Sequence, residues 1–142
     1  MYKIALRDGS PVNAGRMIEV DGSANFAQLG ELVCVIEGGA QTVDGRFCPD
    51  AIVSEAYGKK EMGYPEKVVV MLLTEDMILE APVVGSDINI AALSPGKFIA
   101  FANTGVLADE AASQYCQIVD TQSAQKSGDK ILVRFLHNNV KS

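Results

Sequence analysis

The sequence predicts a mainly β fold, an antiparallel β-barrel or β-sandwich with at most one or two short helices. Three observations carry this expectation. Short apolar runs recur at intervals of about 8–15 residues, the spacing of strands in sandwiches and barrels. Gly, Pro, Asn and Asp punctuate those runs. No segment sustains a 3.6-residue apolar period long enough to cover a wide helical face. With 142 residues, 48% of them hydrophobic and only 6% aromatic, the chain can bury a core, and Trp is absent. That core must rest on Val, Ile, Leu and Ala.

Taken in order, Tyr2–Leu6 (YKIAL) is the first strand, followed by the polar connection RDGSPVNAG. Arg16–Val20 (RMIEV) is the second, with a DGS turn after it. Residues 1–20 are set apart as an N-terminal strand or arm segment, and 21–142 as a single β-rich globular domain. Glu31–Glu37 (ELVCVIE) is stopped by Gly38-Gly39, and a loop-rich stretch follows with Asp44-Gly45 as a tight turn. Lys67–Thr74 (KVVVMLLT) is the most apolar run; its consecutive valines favour a pleated strand buried on both faces. Met77–Pro82, Asp87–Ala91, Lys97–Ala102, Tyr115–Asp120 and Lys130–Leu136 complete nine expected strands. Asn25–Gly30, Pro49–Tyr57 and Val106–Ser113 are the places where a short helix fits.

The last strand closes the fold. Ser127-Gly128-Asp129 forms the turn into it from the arm YCQIVD, and a Gly-Ser-Asp turn is expected in the same way before Asp87–Ala91. Alternation puts Ile131, Val133 and Phe135 on one apolar face and Lys130, Leu132, Arg134 and Leu136 on the other.

Charge excludes several functions. The net charge is −6, with six acids against one cation (Arg46) in residues 21–58, and no basic stripe runs anywhere. Phosphate contacts dominate nucleic-acid affinity, so direct nucleic-acid binding is not expected. No apolar run reaches the roughly 20 residues that cross a bilayer, and no signal-peptide pattern opens the sequence. A soluble protein made in the cytoplasm is expected. Cys34, Cys48 and Cys116 are too scattered for a disulfide framework and suit a reducing compartment.

Chemistry-bearing patterns are weak. His137 is the single histidine; a Cys–His dyad needs an orienting group that nothing in the sequence supplies. Three scattered cysteines and one histidine do not make a zinc site. Glu75-Asp76 and Asp109-Glu110 are adjacent pairs, which suits solvated turns better than paired acid–base catalysis. SPGK lacks the phosphate-loop spacing and leads into a strand. No enzymatic activity, cofactor or metal is expected. The loop Tyr57–Lys67 (YGKKEMGYPEK) sets Tyr57 and Tyr64 beside Met and charges. It fits either a protein interface or a turn whose rings fold back on the body.

The opening YKIALRDGSPVNAGRMIEVDGSA resembles the N-terminal segment of small head-decoration proteins of tailed bacteriophages. LEAPVVGSDINIAALSPGKFIAFAN and the closing GDKILVRF are similar to the β-rich body of such auxiliary capsid proteins. The likeness is one of organisation over most of the chain, and residues 38–66 have no counterpart in it. It implies a non-enzymatic virion protein, a homo-oligomer with a trimer favoured. Such a protein clamps the major capsid protein on the capsid exterior and stabilises it. On that reading Tyr2, Ile4 and Leu6 dock by strand addition, Arg7 and Arg16 meet capsid carboxylates, and residues 1–15 bind without being needed for the fold. The alternative is a small non-enzymatic β-barrel module that binds a small molecule or a cellular protein.

Overall fold

The computed structural model describes residues 1–7, 17–21, 29–36, 39–42, 48–57 and 67–136. They form a mainly β protein of two strongly curled sheets, with mostly antiparallel strands and, among the described residues, one short helix. The fold class matches the sequence expectation.

The smaller sheet is a ring of β2 (Met17–Asp21), β3 (Leu32–Ile36), β4 (Gly39–Thr42), β5 (Ala51–Tyr57) and β6 (Lys67–Leu72), in the order β2-β4-β3-β5-β6. Its interior is filled by Val20, Val33, Ala51, Val53, Val68 and Val70. Five strands enclose little space, and compact β-branched side chains fill it without strain. The opposite faces of the same strands turn Leu32, Ile52 and Met71 into a second, larger core. Strand β6 thus buries Val68 and Val70 in the ring and Met71 in the larger core while Val69 is half-buried, which is why KVVVML lacks a polar alternation.

The larger sheet contains β1 (Lys3–Arg7), β7 (Met77–Val84), β8 (Ala100–Phe101), β9 (Val106–Leu107), β10 (Cys116–Asp120) and β11 (Lys130–Phe135). β7 pairs with β11 through residues 79–82, and with β1 and then β9 along its other edge. The segment leading into β8 returns to β10: Ile99 N–H donates to Cys116 O at 3.0 Å and Ile118 N–H to Lys97 O at 2.8 Å. The sheet therefore curls round until its two ends touch. The expected final hairpin is present, with Ile131, Val133 and Phe135 buried and Lys130 exposed.

Tyr2 joins the two sheets. Its N–H donates to Gly30 O at 2.9 Å, and Gly30 N–H donates to Val53 O in the ring at 3.0 Å. Gly30 has φ +89°, and a Cβ there would lie 2.9 Å from Met1 Cβ and from Tyr2 O. Only glycine fits both demands. The Tyr2 ring is 2% exposed and meets Phe135 edge-on at 6.0 Å between centroids; Phe135 meets Phe101 at 5.0 Å. The Tyr2 hydroxyl is shared between Gly105 O (2.8 Å) and Ala102 O (3.0 Å). Deleting residues 1–15 therefore removes a core ring and a strand of the larger sheet.

Several expected elements differ. Asp87–Ala91 is not a strand but helix α1, capped by Ser86, whose hydroxyl accepts from Asn89 N–H. A strand would place Ile88 and Ile90 on one face. Two helical residues lie about 200° apart, and accordingly Ile88 is 83% exposed while Ile90 is 1%. Residues 51–57 are strand β5 and not a helix start; they pair on both edges, and a register shift between Val53 and Glu55 hides their alternation. Val106–Ser113 is not a helix, because Val106 and Leu107 pair with Val83 and Val84. β4 was expected as loop: GAQT has little strand character of its own and is held by pairing with β3.

Tyr2→Phe should lower unfolding free energy by about 1 kcal/mol in denaturant titrations, since the hydroxyl shared by Ala102 O and Gly105 O is lost while Gly105 O keeps the Ala102 N–H. Truncation before Lys130 removes Ile131, Val133 and Phe135 from the core. The shortened chain should show no cooperative unfolding transition by circular dichroism.

Candidate functional site

The residues expected to dock are dispersed through the fold. Tyr2 belongs to the core, and Ile4 is half-buried against it. Leu6 and Arg7 occupy β1 opposite Ile78 and Met77 of β7. The outer edge of β1 pairs with no strand among the described residues. Tyr57 ends β5 opposite Lys67. Arg16, Tyr64, His137 and the loop 58–66 lie outside the described residues. The structure thus groups Ile4, Leu6 and Arg7 on β1, with Tyr2 just before it, and puts Tyr57 in the other sheet.

Two of the three thiols, Cys48 and Cys116, are poor nucleophiles. Burial, followed by the charges of Asp50, Cys34 and Glu75, pushes the Cys48 thiol up to about 12. Complete burial raises Cys116 as well. Both stay protonated at neutral pH, where thiol reactivity needs the thiolate. The Cys34 thiol donates to Cys48 O at 3.6 Å. Among the described residues no group of three or more His, Cys, Asp and Glu side chains could hold a metal ion. None of their helices is long and apolar enough to cross a membrane.

Two surface features remain. The first is an open cleft of about 360 Å³ between the β6–β7 turn and the β10–β11 hairpin, lined by Glu75, Asp76, Ile78, Gln117, Ile118 and Arg134. Arg134 Nε donates to Gln117 Oε1 at 3.0 Å, and the Thr74 hydroxyl donates to Asp76. Acids on one wall and a guanidinium on the other make the cleft dipolar. Glu75-Asp76 is a turn pair, as the sequence suggested, but Asp76 is half-buried.

The second is the tip formed by α1 and the turn after β9. Both carboxylate oxygens of Asp109 accept from Ser86 N–H at 3.0 Å; Oδ1 also accepts from the Ser86 hydroxyl (3.1 Å) and Asn89 Nδ2 (2.7 Å). Asp109 is the exposed turn residue that the sequence suggests, and in addition it clamps α1; Ser86 as an N-cap residue was the signal that could have revealed the helix. Ile88 was also missed, because a strand reading buries it.

No protein-family model matches the chain, and no curated protein matches it.

The hydrogen bond from Ser86 N–H, then that from the Asn89 amide, holds the Asp109 carboxyl below the usual carboxylate range. A depressed value means the clamp is complete above the ordinary range and is lost as pH falls through the lowered one. In an NMR titration the Ser86 and Asn89 amide signals should move together, with a midpoint below that of an unperturbed aspartate. Asp109→Asn should abolish that step.

Proposed function

We propose that this protein is a non-enzymatic structural protein that binds the outer surface of a phage capsid and stabilises it, acting as a homotrimer on the virion exterior. The observation that carries this reading is β1. It is fixed to β7 along one edge and anchored at Tyr2, and its other edge faces no strand among the described residues. An edge held in register by a rigid body is suited to accept a strand from a partner, with backbone hydrogen bonds supplying the affinity. Repetition over a lattice would multiply modest single contacts into high avidity. The acidic surface agrees with a role on protein and not on nucleic acid. The major capsid protein is the partner in this reading.

The dipolar cleft favours a second reading, a small β-barrel module for a small molecule or a cellular protein. Arg134 and Gln117 could orient an anionic or amide group there, with Glu75 and Asp76 opposite.

Mixing the purified protein with expanded, undecorated phage heads tests the first reading. Co-sedimentation that saturates and raises the temperature of head disruption is the expected result. Absence of retention across a range of salt concentrations overturns it, and a small ligand retained in native mass spectrometry would favour the second.

A further inference from the structure

The cleft beside the β10–β11 hairpin holds a guanidinium in a set position. Val133 pairs with Leu79 and both are buried, so Arg134 and Ile78, the next residues on their strands, turn to the outer face of the sheet. Arg134 stands opposite Gln117 of β10. Its Nε donates to Gln117 Oε1 at 3.0 Å, and Gln117 Nε2 donates in turn to Gly96 O at 3.2 Å. This relay engages one of the five N–H groups of a half-buried guanidinium. Among the described residues the terminal nitrogens of Arg134 have no hydrogen-bond acceptor and no ion pair. Those two nitrogens are the planar fork that grips a carboxylate.

The rest of the lining narrows the ligand. Half-buried Ile78 and Val119 supply apolar surface. Glu75 and Asp76 make the opposite wall acidic, and the Thr74 hydroxyl, donating to Asp76, holds that turn. Lys97 follows Gly96 in sequence and is exposed outside the lining. A ligand with a carboxylate alone meets the acids, and one with an ammonium alone meets Arg134. A ligand carrying both complements each wall at once. At about 360 Å³ the cleft lies near the lower end of ligand pockets, about 300–1,000 Å³, which suits a molecule of amino-acid size.

We propose that the cleft binds a small zwitterion with an apolar portion, its carboxylate on the Arg134 fork and its ammonium toward Glu75 and Asp76. This rests on the second reading above, the small binding module, and names its ligand class.

The test is an NMR titration of the full chain with leucine and its isomer ε-aminocaproate, which set the same two charges at different spacings. Hexanoate and hexylamine each lack one of the charges. At least one zwitterion should shift the amides of residues 75–78, 96, 117–119 and 134, and should bind about tenfold or more tightly than either control. Arg134→Gln should weaken the zwitterion and hexanoate by about tenfold or more and leave hexylamine unweakened, with the thermal midpoint kept because the side chain lies outside the core. Glu75→Gln should do the converse, weakening the zwitterion and hexylamine and sparing hexanoate. The proposal is overturned if neither zwitterion moves those amides, if a control binds as tightly, or if Arg134→Gln binds the zwitterion like the parent chain. Should a control, or a ligand retained in native mass spectrometry, occupy the cleft in place of the zwitterions, the ligand class falls and the binding-module reading stands. If no probe shifts the amides and nothing is retained, both fall.

Discussion

Strand β7 carries partners on both edges: β11 along residues 79–82 on one side, and β1 along residues 77–80 and then β9 at 83–84 on the other. β1, β9 and β11 pair with it directly, and β10 and β8 follow on β11 and β9. Met77, Leu79, Ala81 and Val83 alternate inward along the strand and are all buried. The β11 residues Ile131 and Val133 share the core they form. Because β7 carries partners on both edges, a one-residue slip in its register would turn four core side chains outward at once.

The ring of β2–β6 solves a different problem. Its lumen takes valines and one alanine, and its outer wall contributes Leu32, Ile52 and Met71 to the larger core. The two sheets are therefore joined through shared side chains and not through a linker. Hydrogen bonds at the joint reinforce this. Leu32 N–H donates to Asn103 O at 2.9 Å, while Asn103 Nδ2 donates to the buried Glu31 carboxylate. A carboxylate that is 5% exposed needs such a partner. By contrast, the exposed Lys67–Asp21 bridge at the rim of the ring is worth little, about 0–1 kcal/mol.

What the sequence disclosed follows this division. Where one face is buried against one core, as in Lys130–Phe135, alternation gave the strand, its turn and its inward residues. Where a strand contributes to two cores, as β6 does, composition alone was enough. The signal failed where tertiary pairing overrides weak local preference. GAQT and AIVSEAY became strands because neighbours hold them, and DINIA became a helix because Ser86 and Asp109 cap and clamp it. The α1 tip was illegible for the same reason: Ile88 and Ile90 look alike in sequence, and only the helical turn separates them. Tyr2 was placed among the docking residues by the resemblance of the opening segment to head-decoration proteins. Its actual partners, Ala102 and Gly105, are too distant in sequence to be paired with it by eye.

That separation has a kinetic meaning. The hydroxyl of Tyr2 finds its acceptors across 103 positions of the chain, and β1 pairs with a strand more than seventy residues away. Closing loops of such length costs entropy before any contact rewards it. Contacts of β1 and of the Tyr2 ring are therefore expected to form after the more local ones. The hairpin of β10 and β11, whose arms are joined by residues 121–129, closes a far shorter loop. The residue that ties the finished sheets together is among the last to find its place, and until then its ring stands open to solvent.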